Sequence, residues 1–454
     1  MPKMSARPPA PARPLVKRKK RRPIDERLLP VAAAHAGMAA LIGGATVEHA
    51  LDRAQPLAAG IPEARAWLAP FLGNAVRHRA QLAWWCDRIG LEGADGGLPD
   101  AAAMTAVALV LLAEGGAVHV AAAMAQHGNP VDAAALSRLG KTFHPDQPEA
   151  VARNLPQDLL DALRVRLGED WSRELAALDR PTGLDLRVNP LRIDRDTAAV
   201  VLTRSGIAAV PTAHARHGLR TEGRPPLART EAFRDGWFEV QDEASQIAAA
   251  LVDARPGQRV IDLCAGAGGK TLALAAAMAN KGSITACDVD ARRLKDAVAR
   301  LRRAGVHNVQ TRLLDPEGDR WLKRQRGGFD RVLVDAPCTG TGTWRRKPEQ
   351  KWRWHADMVA GIAVVQADLL DRGARLVRPG GRLVYAVCSI LGAECEERVD
   401  AFLERTPGFV RVPVDTIWAS LLDGDCPVAG PDLLLTPMRH GTDGFFLAVL
   451  ERTP

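Results

Sequence analysis

From about residue 241 to the end of the chain, apolar runs typical of buried strands alternate with amphipathic runs typical of helices. The strand-like runs are RVIDLCA, SITACDVD, VQTRLLD, FDRVLVDAP and GRLVYAVCS; two later ones, FVRVPV and FFLAVLER, have no full crossover between them. This alternation predicts an α/β fold with a parallel, doubly wound sheet covered by helices on both faces. Ligands of such sheets bind beyond the carboxyl ends of the strands. Residues that carry chemistry are therefore expected at those ends.

The first of these strands leads into a glycine-rich turn, DLCAGAGGKT. A phosphate-binding P-loop, GxxxxGK[ST], requires a glycine where this chain has Cys264. A dinucleotide-binding turn, GxGxxG, requires its third glycine where this chain has Thr271. Because the missing glycine has a steric function in each motif, the sequence disfavours both kinds of site.

The residues around the turn favour S-adenosylmethionine as the cofactor. Gly266, Gly268 and Gly269 let a ligand that lacks phosphate approach the backbone closely. Asp288, at the end of the second strand, can bind the two ribose hydroxyls, and Asp315, at the end of the third, can face an adenine amine. The alternative is a tight turn with unrelated surface acids.

Two cysteines, Cys338 in DAPCTGTGTWRRKPE and Cys388 in LVYAVCSI, each follow the end of a strand. A single cysteine at such a position is usually a small core residue, but two at the ligand-binding edge of one sheet indicate chemistry. Asp335 lies in the turn of Cys338, where a carboxylate is costly unless it binds something.

Methylation of cytosine at carbon 5 requires residues of these types. A thiolate that adds to carbon 6 makes carbon 5 nucleophilic. A carboxylate near N3 and the amino group stabilises the developing charge, and a base must then remove the carbon 5 proton. Methylation of an exocyclic nitrogen needs none of these groups, and enzymes that catalyse it typically carry a DPPY-like turn, whereas this chain has DAPC. The spacing does not decide which cysteine attacks.

From about Leu184 to Arg452 the sequence resembles the Sun-type (RsmB-like, NOL/NOP/Sun) RNA cytosine-5 methyltransferases. The similar motifs are LRVNPL, QDEASQ, DLCAGAGGKT, TACDVD, VLVDAPCTGTGTWRRKPE, VYAVCSI and HGTDGFFLAVL. The resemblance implies a class I S-adenosylmethionine-dependent methyltransferase fold, with Cys388 as the nucleophile, Cys338 assisting product release and Asp335 orienting the base. It also implies cofactor contacts at Cys264, Ala265, Gly266, Ala267, Gly268, Gly269, Lys270, Asp288, Asp315 and Asp335.

By the same resemblance, the expected product is 5-methylcytosine in RNA, with 16S ribosomal RNA as the expected substrate. A transfer RNA substrate and a noncatalytic ribosome-assembly role with the same fold stay open as alternatives. The chain departs from the family at Ala267, which replaces a proline, and in ILGAECEERV, which lacks a proline and an asparagine. The basic turn of Arg345, Arg346 and Lys347 is expected to contact phosphate or a nearby loop, or to be solvated.

The rest of the chain divides by composition into three parts. Residues 1–23 are proline-rich and basic and predict a disordered tail; residues 24–150 read as helical and are compatible with a NusB-like RNA-binding domain; residues 151–240 predict a small α+β RNA-binding or linker domain. The catalytic domain is expected at 241–454.

Charge and cysteine usage limit the partners and the compartment. The formal net charge of +8 favours a polyanionic partner such as RNA. Seven cysteines without a CxxC pair disfavour a disulfide scaffold or a zinc site. No apolar run reaches membrane-spanning length, and the first residues lack an apolar signal core. A cytoplasmic protein without a metal or a membrane partner is therefore expected; the oligomeric state is not predicted.

Overall fold

The computed structural model describes residues 30–58, 64–93, 99–315 and 320–454. The predicted basic tail, residues 1–23, lies outside the described residues. Within them, no helix combines the length and the apolar character that crossing a bilayer requires.

The N-terminal part is helical, as predicted. Its central helix is apolar on every side, and residues 103–109 are all buried, which is typical of a helix surrounded by others. Asp100 caps this helix by accepting a hydrogen bond from the Ala103 amide at 2.7 Å. The helices are α1 (Val31–Ile42), α2 (Val47–Ala54), α3 (Ala64–Arg77), α4 (Arg79–Arg88), α5 (Ala101–Ala113), α6 (Ala117–Gln126), α7 (Ala133–Leu136) and α8 (Glu149–Ala152).

Two helices and a small antiparallel sheet follow. The sheet has the order β2-β3-β1-β4. Buried leucines of the two helices pack on the C-terminal part of the chain, against Trp344, Ile390 and Leu391. The predicted boundary at residue 240 stays a prediction. The elements are α9 (Gln157–Leu167), α10 (Trp171–Asp179), β1 (Asp185–Val188), α11 (Arg195–Arg204), β2 (Ala209–Pro211), β3 (Gly218–Thr221), α12 (Glu231–Arg234) and β4 (Phe238–Val240).

The remaining residues form the predicted α/β sheet with its helices. The elements are α13 (Glu243–Leu251), β5 (Arg259–Asp262), α14 (Gly269–Ala277), β6 (Ser283–Asp288), α15 (Ala291–Ala304), β7 (Val309–Leu313), α16 (Arg320–Arg324), β8 (Phe329–Asp335), α17 (Ala356–Leu376), β9 (Val377–Val387), α18 (Glu396–Arg405), β10 (Phe409–Arg411), α19 (Val414–Leu421), β11 (Leu433–Leu435), α20 (Pro437–His440) and β12 (Phe445–Arg452).

The strand order is β10-β12-β9-β8-β5-β6-β7, with β11 pairing to β12. Strands β5 to β9 are parallel. These strands form the predicted parallel sheet, and β12 runs antiparallel to β9, so the whole sheet is mixed. The chain reaches β12 from β10 without the full crossover that a parallel strand requires, and β12 is antiparallel to β10 as well.

Alternate residues of the central strands enter opposite cores, which explains why these strands are apolar throughout. Val332 and Val334 of β8 pack in one hydrophobic cluster, and Leu333 between them packs in the other. Burial on both faces is typical of a sheet covered by two helix layers. This confirms the predicted α/β class.

Candidate active site

The register between β8 and β9 brings the two predicted cysteines together. Asp335, the last residue of β8, pairs with Ala386 of β9. Cys338 and Cys388 follow those residues by three and two positions, and their Sγ atoms lie 3.3 Å apart. Both side chains are partly buried. The Gly342 amide donates to the carbonyl of Cys388 at 3.1 Å and holds the two turns against each other.

The hydrogen bond between the two thiols shifts their pKa values in opposite directions. The hydrogen bond with Cys338 is the main cause that lowers the pKa of Cys388, and Lys270 and Lys347 also lower it, against burial and the charge of Asp335. The same hydrogen bond, with burial, raises the pKa of Cys338 well above its usual range. Because the thiolate is the nucleophilic form, these directions suit the role of nucleophile that the resemblance implies for Cys388.

Lys270, from the glycine turn, reaches Asp335 at the start of the Cys338 turn. Its Nζ lies 2.6 Å from Oδ2 of Asp335 and 5.1 Å from the ring centroid of Phe445. Burial acts to lower the pKa of Lys270, but Asp335 and other nearby acidic groups outweigh it, so the pKa is raised and the ammonium stays charged. The lysine is therefore engaged by a carboxylate and does not serve as a phosphate ligand.

The glycine turn leaves open space beside its backbone. Gly266 has φ +55°, and no atom lies within 4 Å of the place that a Cβ would take there. At Gly268, with φ +80°, a Cβ would stand 3.1 Å from that of Ala297. Asp288 is buried and accepts the amides of Gly266 at 2.8 Å and Asp290 at 2.9 Å. A ligand can thus approach the turn directly above the buried acid.

Two arginines hold the outer side of this turn. Arg187 of β1 donates to the carbonyl of Gly269 at 2.6 Å, and Arg300 of α15 donates to the carbonyl of Ala267 at 2.7 Å. Arg300 is in turn bound by Glu239 of β4 at 3.1 Å. Neither arginine was predicted as a site residue, although the motif LRVNPL contains Arg187.

The other predicted cofactor positions lie at the same edge. Ala265 donates its amide to the carbonyl of Cys287 at 2.8 Å. Burial raises the pKa of Cys264 well above its usual range, so this thiol stays protonated. Asp315 is exposed and follows Leu314, whose amide donates to the carbonyl of Asp288 at 2.9 Å.

Asp262, the first residue of the motif DLCAGAGGKT, was also not among the predicted site residues. It is buried and accepts the Thr271 hydroxyl at 2.7 Å. Burial is the main cause that raises its pKa to about 7, and the charge of Asp335 adds to it. The motif itself, an acid that ends a strand before a glycine turn, was the available signal.

The basic turn after Cys338 is mostly internal, which favours the nearby-loop alternative. Arg346 binds Asp242 at 2.7 Å, Asp443 at 2.9 Å and Asp185 at 3.0 Å. Arg345 is buried and donates to the carbonyls of the closing HGTD segment. Of the three cations, Lys347 alone is exposed. Neither arginine is free to bind phosphate.

Comparison with known proteins identifies the family of this arrangement. A sequence model described as 16S rRNA methyltransferase RsmB/F matches residues 249–451, and one described as the RsmF/B-like ferredoxin-like domain matches residues 155–228. Ribosomal RNA small subunit methyltransferase B of Vibrio cholerae is 34% identical over 298 residues, which cover 65% of this chain and 65% of the relative. The corresponding probable enzyme of Synechocystis is 31% identical over 319 residues, 65% of this chain and 70% of the relative.

Among solved structures, the crystal structure of PH0851 covers 94% of this chain and 99% of its own, with 26% identity and a TM-score of 0.78. The similarity therefore extends over the helical and small-sheet parts as well as the main sheet. These matches confirm the predicted resemblance and the class I methyltransferase fold, whose methyl donor is S-adenosylmethionine.

Proposed function

This chain belongs to the RsmB/F methyltransferase family, and on that premise we propose that it methylates RNA at carbon 5 of a cytosine, in small-subunit ribosomal RNA. The observation that carries the proposal is the pair Cys338 and Cys388, whose sulfur atoms lie 3.3 Å apart beside the glycine turn. Carbon 5 methylation needs two such groups on one ring, whereas methylation of a nitrogen does not.

The residues of the site fit the cofactor. The open backbone at Gly266, the acids at neighbouring strand ends and a lysine already paired with Asp335 suit an adenosine without phosphates. We assign cofactor contacts to Cys264, Ala265, Gly266, Ala267, Gly268, Gly269, Lys270, Asp288, Asp315 and Asp335. When bound, S-adenosylmethionine supplies an electrophilic methyl group.

Cys388 begins the reaction in this proposal. Its thiolate adds to carbon 6 of the cytosine, and the electrons of the C5–C6 double bond make carbon 5 nucleophilic. Asp335, with a third of its side chain exposed, faces N3 and the amino group of the base. Lys270, at 2.6 Å, keeps Asp335 in place and stabilises the Cys388 thiolate.

Cys338 completes the reaction because its protonation depends on Cys388. The hydrogen bond to Cys388 is the main cause that raises the pKa of Cys338. Once the Cys388 sulfur is bonded to carbon 6, it is an uncharged thioether and a much weaker acceptor, so the Cys338 thiol gives up its proton to water more easily. After carbon 5 has taken the methyl group, the Cys338 thiolate takes the proton from carbon 5, the C5–C6 double bond forms again, and Cys388 leaves as a thiolate.

The substrate assignment rests on the relatives and on charge. Both relatives are named for small-subunit ribosomal RNA, and the net charge of +8 suits a polyanion. The target base must be unpaired or extruded to reach a partly buried thiol. We assign RNA binding to the helical region 24–150. Within its described residues, Arg77 of α3 donates to the carbonyls of Arg345 at 2.9 Å and Asp179 at 2.8 Å, which joins this helix to the turn after Cys338.

The test is methyl transfer to purified RNA. The protein is incubated with tritiated S-adenosylmethionine and either 16S ribosomal RNA or transfer RNA, and nucleosides are identified by mass spectrometry. We expect 5-methylcytidine from the ribosomal RNA. Cys388→Ala abolishes it, whereas Cys426→Ala, which removes a thiol that donates to the carbonyl of Val428, leaves it intact.

Three results would count against the proposal. Methylation that survives Cys388→Ala rejects the attacking residue, and a modified nucleoside other than 5-methylcytidine rejects the chemistry. Product from transfer RNA alone rejects the ribosomal substrate. Bisulfite sequencing of cellular RNA with and without the protein then locates the modified cytosine.

A further inference from the structure

Glu394 lies in the turn after β9 and connects the two cysteine turns. It is completely buried. Its carboxylate accepts hydrogen bonds from the amide and the hydroxyl of Thr339, at 2.8 Å and 2.5 Å, and from the hydroxyl of Ser389. Thr339 follows Cys338 and Ser389 follows Cys388, so one carboxylate holds the residue next to each thiol.

Further hydrogen bonds hold the side chain and the backbone of Glu394 in place. Gln366 of α17 donates to Glu394 at 3.3 Å and to the carbonyl of Pro337 at 3.0 Å. The Tyr385 hydroxyl donates to the backbone carbonyl of Glu394 at 2.8 Å. The hydroxyls of Thr341 and Ser389 lie 3.0 Å apart. The carboxylate is therefore fixed through both its side chain and its backbone.

A buried carboxylate is costly unless its hydrogen bonds are satisfied. A hydrophobic residue of similar size would close the turn without that cost. The particular property of a carboxylate here is that both oxygens only accept: Oε2 accepts the hydroxyls of Thr339 and Ser389, one from each turn, while Oε1 accepts the Thr339 amide. This favours a role in aligning the turns over a role in stability alone.

We propose that Glu394 is a positioning residue that sets the relative placement of Cys338 and Cys388. The inference rests on the proposed function for its consequence in catalysis, but the alignment itself is a property of the protein without substrate. Glu394 acts on the chemistry through the two turns and touches no reacting atom.

The charges around the pair support this assignment. The hydrogen bond to Cys388, then burial, and then the charges of Cys388 and Glu394 raise the pKa of Cys338. Lys270 and Lys347 act on Cys388 in the opposite direction, against Asp335. Glu394 therefore lies on the side of the thiol that stays protonated and donates.

The first experiment replaces Glu394 by glutamine, with Glu397→Gln as the matched control at an exposed position of α18. Methyl transfer is measured in a single turnover with saturating cofactor. Because a displacement of about 1 Å at a reacting group costs about 100-fold in rate, Glu394→Gln is expected to slow transfer by about that factor with the KM for RNA unchanged. Glu397→Gln keeps the wild-type rate.

The second experiment needs neither RNA nor cofactor. The rate at which iodoacetamide alkylates Cys388 is followed against pH by mass spectrometry of the Cys388 peptide. When the turns separate, the hydrogen bond from Cys338 weakens, so Glu394→Gln is expected to move the alkylation midpoint to higher pH. Ser389→Ala is expected to move it in the same direction, and the double variant to add little, because both act through one contact.

The two experiments separate the possible failures. If Glu394→Gln lowers the melting temperature but keeps both the wild-type rate and the wild-type alkylation profile, Glu394 is only structural and the proposal is overturned. If wild-type protein methylates no RNA, the proposed function fails, and the alkylation profile still decides whether Glu394 aligns the thiols.

Discussion

Replacing Arg346 by methionine removes one cation from a buried cluster that contains three carboxylates. Arg346 itself is 15% exposed, and the side chains of Asp185, Asp242 and Asp443 are 0%, 9% and 4% exposed. Methionine fills much of the same volume but leaves these acids without their shared partner. The variant therefore tests charge more than packing.

The magnitude follows from the burial of the cluster. Removing one partner of a buried ion pair costs about 3–5 kcal/mol, and for a domain of this size about 1 kcal/mol lowers Tm by about 3 °C. We expect Arg346→Met to lower Tm by about 10 °C. The exposed pair of Arg405 and Asp371, at 2.9 Å, is the control; Arg405→Met is expected to cost less than about 1 kcal/mol.

The loss of folding free energy caused by Arg346→Met also depends on pH. Burial, and then the charge of Asp443, raises the pKa of Asp242 to about 7, against the effect of Arg346. A carboxyl with a raised pKa in the folded state contributes stability below its ordinary pKa and loses it as pH rises through the folded value. Without Arg346 the pKa rises further, so the deficit is expected to be larger at pH 8 than at pH 5.

Urea unfolding followed by circular dichroism at both pH values measures these effects. RNA binding measured against salt concentration adds an independent check, because a residue that binds phosphate contributes about one unit to the salt slope. We expect Arg346→Met to leave the slope unchanged. A stable variant with a reduced slope would refute the assignment of Arg346 to the protein interior.

Three further substitutions are expected to separate other roles. Lys347→Met, at the exposed cation of the same turn, lowers the salt slope of RNA binding by about one without changing Tm; an unchanged slope contradicts an RNA contact. Arg300→Met weakens the binding of S-adenosylhomocysteine, measured by calorimetry, by about 10-fold, because a hydrogen bond from a charged group to the Ala267 carbonyl is worth about 1.5 kcal/mol. The control is Arg302→Met at an exposed neighbouring position, which leaves the affinity unchanged. Asp262→Asn removes a carboxyl whose pKa burial raises to about 7. The stability that wild type loses between about pH 4 and pH 7 is therefore retained in the variant. If urea unfolding gives both proteins the same change in unfolding free energy between pH 5 and pH 8, this prediction is contradicted.

The sequence predicted the sheet and the residues that end its strands because both follow from local patterns. Apolar runs, glycine stops and strand ends determine where Asp288, Asp335, Cys338 and Cys388 lie along their strands. Adjacent parallel strands then bring the ends of β8 and β9 together. The two thiols therefore lie close together because β8 and β9 are neighbours in the sheet and because their pairing places Asp335 opposite Ala386.

The contacts that the sequence did not predict join residues far apart in the chain. Arg346 binds Asp443 97 residues later, and Asp242 and Asp185 lie 104 and 161 residues before it. Arg187 supports the glycine turn from 82 residues away. Such pairs leave no periodic pattern in the local sequence. The sequence of the basic turn was therefore as compatible with phosphate contact as with contact to a nearby loop. The antiparallel course of β12 depends in the same way on tertiary packing.

The most direct test of the central claim is a denaturing gel of the two cysteine variants after incubation with RNA and S-adenosylmethionine. If Cys388 attacks the ring and Cys338 releases it, Cys338→Ala accumulates a slowly migrating protein–RNA adduct and Cys388→Ala forms none. An adduct from Cys388→Ala instead would reverse the two roles, and the absence of an adduct from both, with methylation intact in wild type, would contradict a covalent route.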